Sequence, residues 1–205
     1  MKKIEFDYGG KGEGLKGVSK EISWLKGWPK SRRAFWNGEA FMWRNKIERE
    51  KRELIKKELM FLEERGRRGR RNLDLGCGSY SYITSVGLDI SEKMLLLNDN
   101  LQEKVLGDLE KKLPFRKGEF DSVTMVFVLD YIRNYWNLLK EVFRVLKEKG
   151  VLVVVQSRKK GKGIWEKQRR NNFRPERWGK ILREVGFKVD FYEKEGLGFF
   201  KCRKK

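Results

Sequence analysis

The period of the apolar positions changes along the chain. Between Glu39 and Arg65, the side chains Phe41, Ile47, Leu54, Leu59 and Leu62 fall near one face with charges elsewhere. That spacing predicts an amphipathic helix over 39–65, stopped by Gly66. Beyond residue 71 short apolar runs take over, predicting strands near 71–75, 86–90, 103–106, 121–128 and 151–157. Helical stretches separate some of them: one after Ser91 as N-cap, one over about 133–148 ending on Gly150, and one from Pro175 to Val185 ending on Gly186. Two last strands, near 187–192 and 197–202, close as a hairpin around Glu195-Gly196. Strands alternating with helices predict an α/β fold, a Rossmann-like doubly wound seven-stranded sheet with its last strand antiparallel. Residues 1–71 form a basic, aromatic extension with the long helix, and 72–205 form the α/β domain.

One interval does not fit a regular βαβ unit. In "NLDLGCGSYSYITSVGLDIS", residues 72–91, the first strand ends in the turn Gly76-Cys77-Gly78, and the second already begins near Val86. A parallel crossover ordinarily takes about a dozen residues or more, so the first crossover helix is predicted to be shortened or missing. Of the remaining elements, only the 39–65 helix is long, amphipathic and otherwise unassigned, so it is expected to cover the bared side of the sheet.

Composition narrows the chemistry. The chain has 205 residues and no histidine, which removes the commonest metal ligand and general base. Its two cysteines, Cys77 and Cys202, have no metal-ligand spacing. With no apolar run long enough for a membrane span and no long apolar leader, the reading is a cytoplasmic protein without a membrane partner. Net charge is +20, and it is segregated: +10 over residues 1–71, −1 over 72–157 and +11 over 158–205. A general abundance of charge would raise both signs together, whereas this imbalance predicts a polyanionic partner. The candidate RNA contacts are Arg32, Arg33 and Trp36 in the aromatic run 24–43, Arg67, Arg68, Arg70 and Arg71 in "RGRRGRR", and Lys159 and Lys160 in "SRKKGKG".

Ligands of such sheets sit at the carboxyl ends of the strands. Asp74, Gly76 and Gly78 end the first strand, Asp89 the second, and Asp108 with Leu109 the third. An acid after the second strand suits a ribose, since one carboxylate can accept from both sugar hydroxyls. Together "LDLGCG", "GLDIS", "GDLEKKLPFRKGEFDSV" and "LLKEVFRVLKEKGVLVV" resemble the class I S-adenosylmethionine-dependent methyltransferases in order and spacing. The resemblance covers about residues 72–157. It implies S-adenosyl-L-methionine as cofactor, with Gly76 and Gly78 beside its methionine part, Asp89 on the ribose, and Asp108 and Leu109 beside adenine. Two departures stand out: Tyr80 occupies the place of the third glycine, and the first helix is nearly absent.

The ends of the fourth and fifth strands carry no cysteine, which points away from C5 methylation of a pyrimidine. Asp130 and Tyr131 follow the fourth strand as candidate catalytic residues, the carboxylate orienting an amine and the ring stacking on a base. The function expected is an RNA methyltransferase, with ribosomal RNA ahead of transfer RNA and an exocyclic amine such as N4 of cytidine as target. The alternatives are a small-molecule or protein methyltransferase and a non-catalytic RNA-binding assembly factor. The sequence fixes no oligomeric state.

Overall fold

The structure, a computed structural model, describes residues 22–64, 70–157 and 163–205. Arg67, Arg68, Lys159 and Lys160 lie outside the described residues. The extension contributes helices α1 (Arg32–Lys46), α2 (Arg49–Leu59) and the single turn α3 (Phe61–Glu64). Strands β1 (Asn72–Leu75), β2 (Ser85–Asp89), β3 (Leu101–Leu106), β4 (Phe120–Val126), β5 (Leu146–Ser157), β6 (Phe187–Lys194) and β7 (Leu197–Lys204) make one sheet in the order β3-β2-β1-β4-β5-β7-β6. The first five are mutually parallel, and β7 runs antiparallel to both β5 and β6. Helices α4 (Glu92–Leu97), α5 (Tyr135–Val145), α6 (Ile164–Gln168) and α7 (Pro175–Val185) complete the chain. Among the described residues no helix is long and apolar enough to cross a membrane.

Two sequence expectations need correction. The helix expected over 39–65 is three helices, broken where Ile47 takes an extended backbone (φ −98°, ψ 121°). Phe41, expected on the inward face, is 56% exposed. The helix expected over 133–148 ends at Val145, and the chain enters β5 directly, bulging where Phe120 pairs with Leu146 and Ser122 with Val151.

Alternation along β5 divides the core into two layers, as a pleated strand requires. Leu152 and Val154 join the larger cluster under α5 and α7, with Leu138, Leu139, Val142 and Trp178. Val153 and Val155 point the other way, into a second cluster with Leu197 and Phe199 of β7. No helix forms between β1 and β2. The opposing surface comes instead from Leu54, Ile55 and Leu59 of α2 and Leu62 of α3, joined by Tyr82 and Ile83 from the short β1–β2 link. Glu58 fastens α2 to the hairpin, accepting from the Tyr192 hydroxyl, from Lys201 at 3.2 Å and from Lys194 at 3.5 Å. The extension thus supplies the layer that the missing crossover helix leaves open.

Candidate functional site

The carboxyl ends of β1, β2 and β4 converge on one cavity, lined by Gly76, Gly78, Asp89, Asp108, Leu109 and Val128 from the sheet side. Gly76 and Gly78 hold φ of +65° and +57°, a region closed to most side chains. A Cβ on Gly76 would come within 2.8 Å of Val128 Cγ2, and one on Gly78 within 2.8 Å of Trp43 Nε1. In place of a helix, Asn98 holds this turn, its amide donating to the Gly78 carbonyl at 2.9 Å and to Ser81 Oγ at 3.1 Å.

Asp89 is buried and accepts from the Gly78 amide at 2.9 Å and the Ser91 amide at 2.8 Å. A carboxylate has about four acceptor positions, so lone pairs remain for hydroxyls of a sugar. Burial pushes its pKa up to about 6, against the backbone hydrogen bonds that lower it. Asp74 is also pushed up to about 6 by burial, but its oxygens are taken by Ser81 Oγ at 2.7 Å and Thr124 Oγ1 at 2.9 Å. It braces β1 against β4 and the turn, and faces a smaller neighbouring recess.

Helix α1 narrows the rim. Its residues Arg32, Trp36, Glu39, Trp43 and Lys46 recur at intervals of four and three and so share one face. Arg32 Nη2 reaches both oxygens of Asp108 at 2.8 and 2.9 Å, and Nη1 reaches Glu110 at 3.1 Å. Trp36 meets Tyr131 edge-on at 5.0 Å, and Trp43 stacks on Trp165 of α6 at 5.2 Å. Asn37 docks the helix on the β2–α4 turn, accepting from Ser91 Oγ at 2.7 Å. With α1 in place, about 70 Å³ of the cavity stays open.

These residues suit S-adenosylmethionine. A buried carboxylate with spare lone pairs faces the cavity, two glycines permit close backbone approach, and Ile90, Met94, Leu109 and Val128 offer apolar walls for a nucleoside. The cofactor has no phosphate, so it does not need the N-terminus of a crossover helix.

The 3-10 turn Leu129–Tyr131 divides the two candidate catalytic residues. Tyr131 lines the cofactor cavity, and burial pushes its pKa up to about 12. Asp130 faces a second cavity of about 350 Å³. Its oxygens are held by Arg169 Nη2 at 2.7 Å and Gln156 Nε2 at 3.0 Å. Burial raises its pKa, and Arg169 opposes that shift. The carboxylate is therefore committed to a partly buried ion pair that pins the turn.

Of the basic residues expected to meet RNA, Arg32 is engaged with Asp108, and Arg33 with Glu92 at 2.8 Å. Arg71 bridges Glu119 at 2.9 Å and Glu103 at 3.2 Å. Arg70 is half-buried near Asp121. Sequence reasoning missed Glu39, Lys46, Asn98, Trp165 and Arg169. The spacing of Arg32, Trp36, Glu39, Trp43 and Lys46 was available as a signal, but an apolar count passes over a stripe that is partly charged.

Residues 73–154 match the family model described as a methyltransferase domain. A demethylmenaquinone methyltransferase of Lactococcus lactis is 35% identical over 103 residues, covering 42% of this chain and 41% of that protein. The chain spans less than half the length of the curated relatives it matches. Among solved structures, a Thermotoga maritima protein described as an S-adenosylmethionine-dependent methyltransferase and possible histamine N-methyltransferase superposes with a TM-score of 0.61 at 20% identity. That match covers 83% of this chain and all of the other. The cyclase SpnF also gives 0.61, at 17% identity over 74% of this chain and 80% of its own, so the shared fold does not by itself set the reaction.

Proposed function

We propose that the chain is a class I S-adenosylmethionine-dependent methyltransferase that transfers the methyl group of S-adenosylmethionine to a small organic acceptor bound under α1. The observation that carries this reading is the rim narrowed by aromatic rings. Trp36 and Trp43 lie across the carboxyl end of the sheet beside Tyr131, leaving a narrow cavity where a polymeric acceptor needs an open approach.

Bound S-adenosylmethionine supplies an electrophilic methyl group on a sulfonium sulfur. Asp89 accepts from the ribose hydroxyls, and the Gly76-Cys77-Gly78 backbone lets the amino-acid part approach. Asp108 and Leu109 flank adenine, with Arg32 neutralising the Asp108 carboxylate. Trp36, Trp43 and Tyr131 exclude water and orient the acceptor, which raises the rate through positioning. Asp130, through its pair with Arg169, acts as a positioning residue for Tyr131. Calorimetry of the full chain tests the first step: S-adenosylmethionine or its demethylated product should bind saturably, and a folded protein that binds neither refutes the reading. Radiolabelled methyl transfer to small-molecule pools, against ribosomal and transfer RNA, tests the second.

An RNA acceptor is the second reading, supported by the +20 net charge and its confinement to the regions flanking a neutral middle. It requires methyl transfer to RNA and a steep loss of RNA affinity with salt.

A further inference from the structure

Under α1 four aromatic rings cluster together, and one of them, Trp165, meets an ion pair. Trp36 lies edge-on to Tyr131, Trp43 and Trp165 at 5.0, 5.8 and 5.3 Å, and Trp43 stacks parallel to Trp165. The Glu39 carboxylate, 5% exposed, binds the Lys46 ammonium, which also sits 3.5 Å from the centre of the Trp165 ring. Trp36, Trp43 and Tyr131 are at the same time walls of the cofactor cavity. A ring face and a carboxylate on one ammonium, backed by further rings, form an arrangement that recognises organic cations.

We propose that this aromatic box is the acceptor subsite, that it takes an organic amine, and that the Lys46 ammonium occupies the place the acceptor's ammonium takes. The proposal rests on the methyl-transfer reading and names its substrate class.

The charge argument selects the amine. Lys46 ends α1, its side chain is 31% exposed, and the chain beyond it is extended, so the side chain can swing to solvent. Glu39 cannot follow. A neutral acceptor displacing Lys46 would leave a buried carboxylate without a counter-charge, which is strongly unfavourable, whereas a protonated amine replaces one ammonium by another. Burial raises the pKa of Glu39 and lowers that of Lys46, each opposed by the hydrogen bond and attraction between them, as expected for a pair held together at a desolvation cost.

The same carboxylate meets the chemical need of the reaction. A protonated amine has no lone pair, so it first gives one N–H proton to Glu39, leaving a neutral amine and a neutral carboxylic acid. The amine nitrogen then forms the N–C bond as the C–S bond breaks, with that electron pair remaining on sulfur. The product leaves as an N-methylammonium ion, and Glu39 returns its proton to water.

The test needs no turnover. Phenethylamine, with phenethyl alcohol as its neutral counterpart, is titrated into the full chain without cofactor, followed by tryptophan fluorescence and calorimetry. The amine should bind wild type saturably, bind Lys46→Met at least fivefold more tightly because the internal competitor is gone, and fail to bind Glu39→Gln. The alcohol should show no saturable binding. Equal binding of amine and alcohol, or an amine affinity unchanged in a folded Lys46→Met, overturns the proposal. Should that variant not fold, the wild-type comparison of amine with alcohol decides alone. A wild type that binds S-adenosylmethionine but no amine loses the amine proposal and keeps the methyl-transfer reading, whereas one that binds no S-adenosylmethionine loses both.

Discussion

Replacing Ile55 by Ala tests whether α2 stands in for the absent crossover helix. Ile55 is fully buried against side chains that include Val153, Val155 and Phe199 of the sheet's second face. The substitution removes three methyl or methylene groups at about 0.8 kcal/mol each, roughly 2.4 kcal/mol of transfer free energy. If about 40 Å³ of the vacated space persists, a cavity term of about 24 cal/mol per Å³ adds roughly 1 kcal/mol. The expected loss is therefore about 3 kcal/mol, which for a chain of this size lowers Tm by roughly 6–12 °C. Urea denaturation followed by far-ultraviolet circular dichroism measures it, with exposed Lys57→Ala as the control. The decisive feature is which transition moves. If α2 is part of the core, the single main transition shifts with its slope unchanged. A loss below about 1 kcal/mol, or an early minor transition with the main one unmoved, refutes the account of α2 as the replacement layer.

The other predictions concern the site. Asp89→Ala should weaken S-adenosylmethionine binding by roughly 1.5–3 kcal/mol in calorimetry, the worth of hydrogen bonds to a charged group. In wild type that affinity should fall as pH drops through about 6, because protonation of the raised Asp89 removes the acceptor form, and Asp89→Asn should flatten the profile. Gly78→Ala should cost about 1–3 kcal/mol in chemical denaturation through backbone strain at φ +57° and should displace Trp43, read as a shift in tryptophan emission. Asp130→Ala should destabilise by roughly 1.5–3 kcal/mol by removing the closer partner of the largely buried Arg169, which keeps only Glu166 at 3.4 Å as counter-charge, and Asp130→Leu with Arg169→Met should recover most of that. A single-variant loss no larger than that of an exposed pair would remove Asp130 from its positioning role.

The legibility of the sequence follows the kind of force that shapes each part. Strand β4 and the second half of β5 were readable because a strand buried on both faces must be largely apolar, and the hairpin because Glu195-Gly196 marks its turn. The cofactor turn was readable through its glycines, whose positive φ is a local requirement. The break at Ile47 was not readable, because neither glycine nor proline marks it and the register of Leu54, Leu59 and Leu62 continues smoothly beyond it. The direction of the Asp130 side chain was hidden as well, since Arg169 lies 39 residues further along the chain.

The break at Ile47 also joins the two roles of the extension. On one side of it, α2 buries Leu54, Ile55 and Leu59 against the sheet, where the energy is hydrophobic and insensitive to ligand. On the other side, α1 meets the rim through ion pairs and ring edges, from Arg32 on Asp108 to Trp36 on Tyr131 and Trp43 on Trp165. Charged contacts of that kind exchange readily for contacts with a charged ligand, because a new partner can satisfy the group that the old one releases. A conventional crossover helix would cover the sheet from within the β1–β2 connection and bring no such face to the rim. Covering the sheet from the extension instead delivers Arg32, Trp36 and Trp43 to the cavity, on a helix followed by α2 and docked by Asn37 on the Ser91 turn. The shortened connection and the aromatic rim are thus two consequences of one topological change.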